Sequence, residues 1–248
     1  MRYDRPVKQY EAVILTLEQL GGQATLGQLY QEAVRVPGVK WGTKTPFASI
    51  RRIVQVRPEI FKVRAGLWAL EAFRSKLGLP QDDAEEASSP AALERSHSYY
   101  QGLLATLGSF RGFSTYIPNQ DKNRLCLQKP LAEIRTLHEI PNFSYEAITR
   151  RAATVDVSWF NDRHLPHSLF EVEHSTDIQN SLLKFHELQD FNTRMVIVAS
   201  PTRRREFQAK VGHQAFREIA DRVQFYDYET LASDYEHEAS RTSADFTL

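Results

Sequence analysis

Residues 154–174 read TVDVSWFNDRHLPHSLFEVEH, and the fold turns on this stretch. TVDVSWF alternates as a strand does, with Asp156 and Ser158 on one face and Val155 and Val157 on the other. The polar loop NDRHLPHS follows. LFEVEH then reads as a second strand, with Glu171 and Glu173 on one face and Phe170 and Val172 on the other. A strand buried on both faces should be continuously apolar. Here Asp156, Glu171 and Glu173 interrupt two neighbouring strands. Like charges repel and burial penalises each carboxylate, so something must offset that cost. A divalent cation does so directly, because hard oxygen ligands suit Mg²⁺. Beside a phosphodiester, such an ion neutralises charge on the attacked phosphoryl group and activates a water. The competing reading of the same spacing is a solvated sheet face with ordinary amphipathic alternation.

Downstream, Ser175 or Thr176 is expected to cap a helix carrying Ile178, Leu182, Phe185 and Leu188 on one side, with Gln189 inside that stripe. A buried strand RMVIVAS, a basic helix start PTRRREF and a last strand VQFYDY complete the run. Upstream, residues 93–107 read as a helix and 114–118 as a short strand, while 119–148 are expected to hold loops and short helices. Helix, strand, strand, strand, helix, strand, helix, strand predicts an α/β fold.

The N-terminal residues read differently. Tyr10, Val13, Ile14, Leu17 and Leu20 repeat at helical spacing until Gly21-Gly22 stops them. Thr25 caps a second helix, with Gln28 closing a capping box. Thr45 is expected to cap a third, with Pro46 at its first position. That helix turns Phe47, Ile50, Ile53 and Val54 inward and Ser49, Arg52 and Gln55 outward, with Arg51 on the flank. Residues 60–64 and 67–70 form strands joined by the two-residue hairpin Ala65-Gly66. Three helices and a hairpin are the ingredients of a winged helix-turn-helix, whose third helix enters the major groove. Lys44, Thr45, Ser49, Arg51, Arg52 and Gln55 are the candidate DNA contacts. A solvated basic face on a protein-interaction module is the alternative.

Charge and composition divide the chain in the same way. Residues 1–73 carry 11 Lys+Arg against 6 Asp+Glu, residues 74–93 carry 2 against 4, and residues 94–248 carry 18 against 21. A basic first segment on a mildly acidic remainder suggests a polyanionic partner. Residues 74–92, RSKLGLPQDDAEEASSPAA, lack aromatics and read as a flexible linker. Four segments are expected: 1–73 for the DNA reader, 74–92 for the linker, 93–231 for the α/β domain, and 232–248 for a polar tail that frays. No apolar run approaches a membrane span. The N-terminus lacks the features of a secretory signal. With Cys126 as the single cysteine, no intramolecular disulfide can form, and a reducing cytoplasm is the expected location. His164, His167, His174 and His186 cluster around the carboxylates, but no HExxH zinc motif is present. Phosphate-loop, dinucleotide and serine-hydrolase motifs are absent too.

Two resemblances sharpen these expectations. GTKTPFASIRRIV followed by EIFKVRAGLWAL resembles the HARE-HTH winged helices, which implies DNA binding with sensing of modified bases; GTKTP departs slightly from the usual spacing of that family. Asp156, fourteen residues, then Glu171-Val172-Glu173 resembles the PD-(D/E)XK nuclease superfamily, whose αβββαβ core has a mixed central sheet. That resemblance implies a restriction-endonuclease-like core acting on double-stranded DNA with Mg²⁺, for which Mn²⁺ substitutes. It implies metal ligation by Asp156, Glu171 and the backbone carbonyl of Val172, with Glu173 as third catalytic carboxylate. Gln189, Glu94 and His174 are accessory candidates. The usual lysine is replaced by Glu173, which removes a cation from the site. The expected function is a restriction-type endonuclease engaged in phage defence, with a homodimer to cut both strands. The rival is a non-catalytic DNA-binding regulator that keeps a decayed nuclease fold, and an RNA-processing nuclease is a third reading.

Overall fold

A computed structural model describes residues 6–79 and 90–245. The chain divides into two compact units, one formed by Met1–Ser89 with Ala232–Leu248 and the other by Pro90–Leu231. Most of the expected linker, residues 80–89, lies outside the described residues.

In the first unit, helix α1 (Gln9–Gln19) is followed by strand β1 (Gln23–Thr25), helix α2 (Leu26–Glu32), helix α3 (Phe47–Val56) and strands β2 (Ile60–Arg64) and β3 (Leu67–Leu70). The expected capping box forms: Gln28 N donates to Thr25 Oγ1 at 3.2 Å, and Thr25 N donates to Gln28 Oε1 at 2.9 Å. β2 and β3 pair antiparallel across Ala65-Gly66, where Gly66 has a φ of 72° that a side chain would resist. β1 joins on the other side of β3. Val13, Leu17, Leu29, Ile50 and Val54 fill the core between the helices and this sheet. The third helix starts later than expected. Pro46 rather than Thr45 takes the N-cap position, its carbonyl accepting Ile50 N at 3.0 Å. Proline lacks the N–H but keeps the carbonyl, so it fits ahead of the first bonded turn as well as inside it.

The second unit holds a mixed five-stranded sheet in the order β10-β9-β8-β7-β4. It runs through α4 (Pro90–Phe110), β4 (Ser114–Tyr116), β5 (Leu125–Cys126), β6 (Lys129–Pro130), α5 (Leu131–Ile134), α6 (Glu146–Ala152), β7 (Val157–Phe160), β8 (Pro166–Glu173), α7 (Ile178–Glu187), β9 (Arg194–Ala199), α8 (Arg204–Val211) and β10 (Val223–Asp227). β8, β9 and β10 are parallel, β7 pairs antiparallel with β8, and β4 pairs antiparallel with β7. On one face of the sheet, Ile178, Leu182 and Phe185 of α7 pack on Leu169, Met195 and Ile197. On the other face, α4 packs close, with Trp159 Nε1 donating to Leu104 O at 3.0 Å.

α4 extends past the expected 93–107 at both ends, β4 stops short of residue 118, and three boundaries around the carboxylates also differ from the sequence reading. β7 begins at Val157, so Asp156 stands just ahead of the strand rather than inside it. β8 begins at Pro166, three residues before the expected start. Asp177, not Ser175 or Thr176, caps α7, accepting Gln179 N at 2.9 Å. The Thr176 hydroxyl is taken by the Glu173 carboxylate and is unavailable as a cap.

The expected frayed tail is a helix instead. α9 (Tyr228–Asp245) follows β10 directly, and its residues from Ala232 onward belong to the first unit. Tyr235 OH meets Thr25 Oγ1 at 3.2 Å, and Ala239 and Tyr235 lie so close to Gly27 that an added Cβ would meet them at 2.8–3.0 Å. Leu231, Ala232, Tyr235 and Ala239 are all buried. Ala232, Tyr235 and Ala239, which belong to the first unit, form an apolar stripe that anchors an otherwise polar segment. No helix among the described residues is long and apolar enough to cross a membrane.

Candidate active site

Val157 and Phe170 form the last β7–β8 pair at this end of the sheet. Asp156 and Glu171 are the next residues outward, so the antiparallel register brings them together. Asp156 Oδ2 accepts Val172 N at 2.8 Å, taking the place of a strand partner. Glu171 and Glu173 lie on the α7 side of β8, both nearly inaccessible to solvent. All three carboxylates line one cleft of about 410 Å³ within the second unit. Val172, Glu94 and His174 line it too.

The side chains that offset the buried charge come from α7. Lys184 Nζ donates to Glu171 Oε1 and Oε2, both at 2.9 Å, and to Thr154 O at 3.0 Å. Ser181 Oγ donates to Glu171 Oε2 at 3.1 Å and also bonds Glu173. Thr176 supplies Glu173 with a second hydroxyl, and Arg203 Nη1 stands 3.9 Å from it. Burial, and then the charge of Asp156, push the Glu171 carboxyl well above the usual glutamate range, against the pull of Lys184 and Ser181. A cation from α7 thus stands against Glu171.

A third wall is built by α4 and the segment after β4. His97 Nε2 stands 3.6 Å from Asp156 Oδ1. Gln101 Nε2 donates to Asp121 Oδ2 at 3.0 Å and to Asp156 O at 3.3 Å. Arg124 bridges Asp121 at 3.0 Å and Glu94 at 3.1 Å. Burial works against a charged His97, but Asp156 and Asp121 outweigh it and hold the imidazole above its usual range. One ligand atom each from His97, Asp121 and Asp156 lie within 4.8 Å of one another.

His174 Nδ1 is 2.7 Å from Tyr228 OH, which also donates to Glu173 O at 3.1 Å. Gln189 is apart from the cleft. α7 ends at Glu187, and the Gln189 carbonyl accepts a hydrogen bond from Arg222 at 2.5 Å. In the first unit Lys44, Thr45, Ser49, Arg51, Arg52 and Gln55 are all exposed. Arg51 differs from the others, because Glu236 of α9 accepts from its Nη2 at 2.6 Å.

Sequence reasoning missed Lys184, Ser181, Arg203, His97, Gln101 and Asp121. Some of them carried a signal. Ser181 sits inside the apolar stripe Ile178, Leu182, Phe185, and Glu94, His97 and Gln101 recur at helical spacing along α4. Asp121, in an irregular segment, carried none.

Strands of mixed direction whose ends carry buried carboxylates beside a lysine make an α/β protein with an acidic cleft. Residues 78–243 match the family model of the Type II restriction enzyme NmeDI C-terminal domain, and the chain belongs to that family. The Type II restriction enzyme NmeDI of Neisseria meningitidis serogroup C is 26% identical over 153 residues, which cover 58% of this chain and 43% of that protein. The chain thus spans less than half the length of this curated relative. No solved structure matches it.

Proposed function

We propose that the chain is a metal-dependent, restriction-type endonuclease that hydrolyses DNA phosphodiesters. In this reading residues 93–231 form a PD-(D/E)XK-like catalytic domain. Residues 1–73 form a HARE-HTH-like winged helix that grips double-stranded DNA and senses modified bases. The observation that carries the proposal is the convergence of Asp156, Glu171, Glu173 and Lys184 on one cleft. Membership in a restriction-enzyme family supports it.

The donors present suit a hard divalent cation: the carboxylates of Asp156 and Glu171 with the carbonyl of Val172, the residue after Glu171. Mg²⁺ is the proposed ion, with Mn²⁺ as a substitute. When bound, such an ion supplies Lewis-acid polarisation of the phosphate and a more acidic water. The chain's own residues do the rest. Lys184, held by Glu171 and the Thr154 carbonyl, places a fixed positive charge at the cleft wall, where charge develops on the attacked phosphate. Ser181 orients Glu171 and Glu173 at once. Glu173, holding two hydroxyls, is a positioning residue or a proton acceptor rather than a substitute for the lysine.

A decayed, non-catalytic regulator was favoured by the missing lysine, and Lys184 removes that support. Incubating the full chain with modified and unmodified phage DNA tests the proposal. Cleavage with Mg²⁺ that EDTA stops, leaving 5′-phosphate ends, is expected. DNA that is bound but never cut under any of these conditions would return the regulator.

A further inference from the structure

We infer that the β5–β6 hairpin is a DNA-gripping arm of the second unit, with Lys122 and Lys129 holding backbone phosphates of a duplex seated at the cleft. The inference rests on the DNA-acting reading above and deepens it by naming a further contact surface for the same substrate. Residues 122–130 read KNRLCLQKP, which holds Lys122, Arg124 and Lys129 and no acidic residue. The chain around them is acidic, since residues 94–248 carry 18 Lys+Arg against 21 Asp+Glu. A basic island on an acidic background marks a surface for a polyanion. Lys122 and Lys129 are both exposed, and neither forms an ion pair with a described residue.

The hairpin is a fixed extension of the cleft wall. Arg124, next to β5, lines the cleft itself. Ala132 N donates to Lys122 O at 2.8 Å, and Leu131 N donates to Arg124 O at 2.9 Å. From α4, Ser98 Oγ donates to Leu125 O at 2.7 Å. Cys126 is buried against Gly102 of α4, where an added Cβ would come within 2.3 Å of its Sγ, so only glycine admits the strand this closely. Residues opposed in an antiparallel pair share a face, and successive residues alternate. Leu125 pairs with Pro130 and so faces away from the Cys126 side, where it is 54% exposed. At the turn, Leu127 has a φ of 58°, a left-handed conformation that a leucine keeps only where its surroundings impose it.

Duplex DNA is the partner this surface fits. The major groove admits a two-stranded ribbon between walls of phosphate, and its floor offers thymine methyl groups. Lys122 and Lys129 meet the phosphates, which position a duplex without reading it. The exposed Leu125 meets apolar surface, a thymine methyl or a sugar. Arg124 continues the line of cations from the hairpin into the cleft. The arm belongs to the same unit as the carboxylates, and α4 ties it in place. It therefore holds the duplex at the carboxylates and touches no reacting atom.

Equilibrium binding of duplex DNA to the full chain over a series of salt concentrations, without divalent metal, tests the inference. Cleavage by the wild-type chain with Mg²⁺ is measured separately. The double variant Lys122→Ala/Lys129→Ala should lower the log–log salt slope by about 1.8, two phosphate contacts at about 0.9 each. Each single variant should lower it by half as much. Arg217→Ala is the control. It removes one exposed cation ahead of β10, a strand that starts at the end of the sheet away from the cleft, and should leave the slope unchanged. All these side chains are exposed, and melting curves check that each variant folds. An unchanged slope in the folded double variant, or an equal loss in Arg217→Ala, overturns the arm; cleavage by the wild-type chain then leaves the endonuclease proposal intact. The expected slopes in a chain that never cuts keep the arm and overturn the endonuclease. A wild-type chain that binds no DNA overturns both.

Discussion

At the scale of single residues, the cleft turns on how its three carboxylates, two of them buried, are matched. Glu171 is matched by a lysine, Glu173 by hydroxyls, and Asp156 by the Val172 amide on one oxygen and His97 on the other. Lys184→Ala is predicted to lower the single-turnover cleavage rate by about 10²- to 10³-fold, the usual cost of removing one charge-stabilising donor. DNA affinity should change little, and an unaltered rate would show that Lys184 is an ion-pair partner of Glu171 and nothing more. The carboxylates were legible in the sequence because they break an apolar strand pattern. The lysine was not, because it reaches Glu171 from 13 residues away on a helix. Motif spacing records neighbours along a strand and is blind to a cation delivered across a packing interface.

Among the elements, α9 shows where composition misleads. A segment that looks polar on average needs few apolar residues to dock, provided they fall on one stripe. Tyr235 and Ala239, both in the first unit, do so four positions apart. That spacing was readable, but average polarity hid it. Tyr235→Ala is expected to cost about 3 kcal/mol in denaturant unfolding, the lower end for losing a buried aromatic ring. A loss below about 0.5 kcal/mol, typical of surface positions, would mean the helix is not part of the first unit's core. The start of the same helix is acid-sensitive. Burial works to raise the Asp227 carboxyl, but hydrogen bonds from Thr230 and the charge of Arg204 outweigh it and hold it below the usual aspartate range. Its contribution to stability is therefore present above the ordinary aspartate pKa and is lost as pH falls through the depressed folded value. Asp227→Asn should flatten that part of the acid-unfolding profile, and an unchanged profile contradicts the assignment. The capping box at Thr25 and the hairpin at Gly66 were legible because their signals are local. The starts of β7 and α7 were not, because Asp156 is engaged by Val172 across the sheet and the Thr176 hydroxyl by the carboxylate of Glu173.

On the scale of the whole molecule, the charge asymmetry along the chain is softer in space than in sequence. Residues 232–248 carry 1 Lys+Arg against 4 Asp+Glu, and their helix joins the basic first segment. The surplus of that unit outside residues 74–89 falls from +5 to +2. The proposed DNA binding then depends on a local face rather than on net charge. Arg52 is free of the Glu236 ion pair that engages Arg51. Arg52→Ala is predicted to lower the salt dependence of DNA affinity by about one phosphate contact, a change of roughly 0.9 in the log–log slope. Arg51→Ala should lower it less. Equal effects would mean that α9 does not occupy Arg51 in solution. The central claim is that Asp156 and its neighbours form a working phosphodiesterase centre. Its most direct test is single-turnover cleavage of duplex DNA with Mg²⁺ by the wild-type chain and by Asp156→Asn, with binding of the same DNA measured alongside. Loss of cleavage with binding retained is the predicted result; cleavage by Asp156→Asn at the wild-type rate would contradict it.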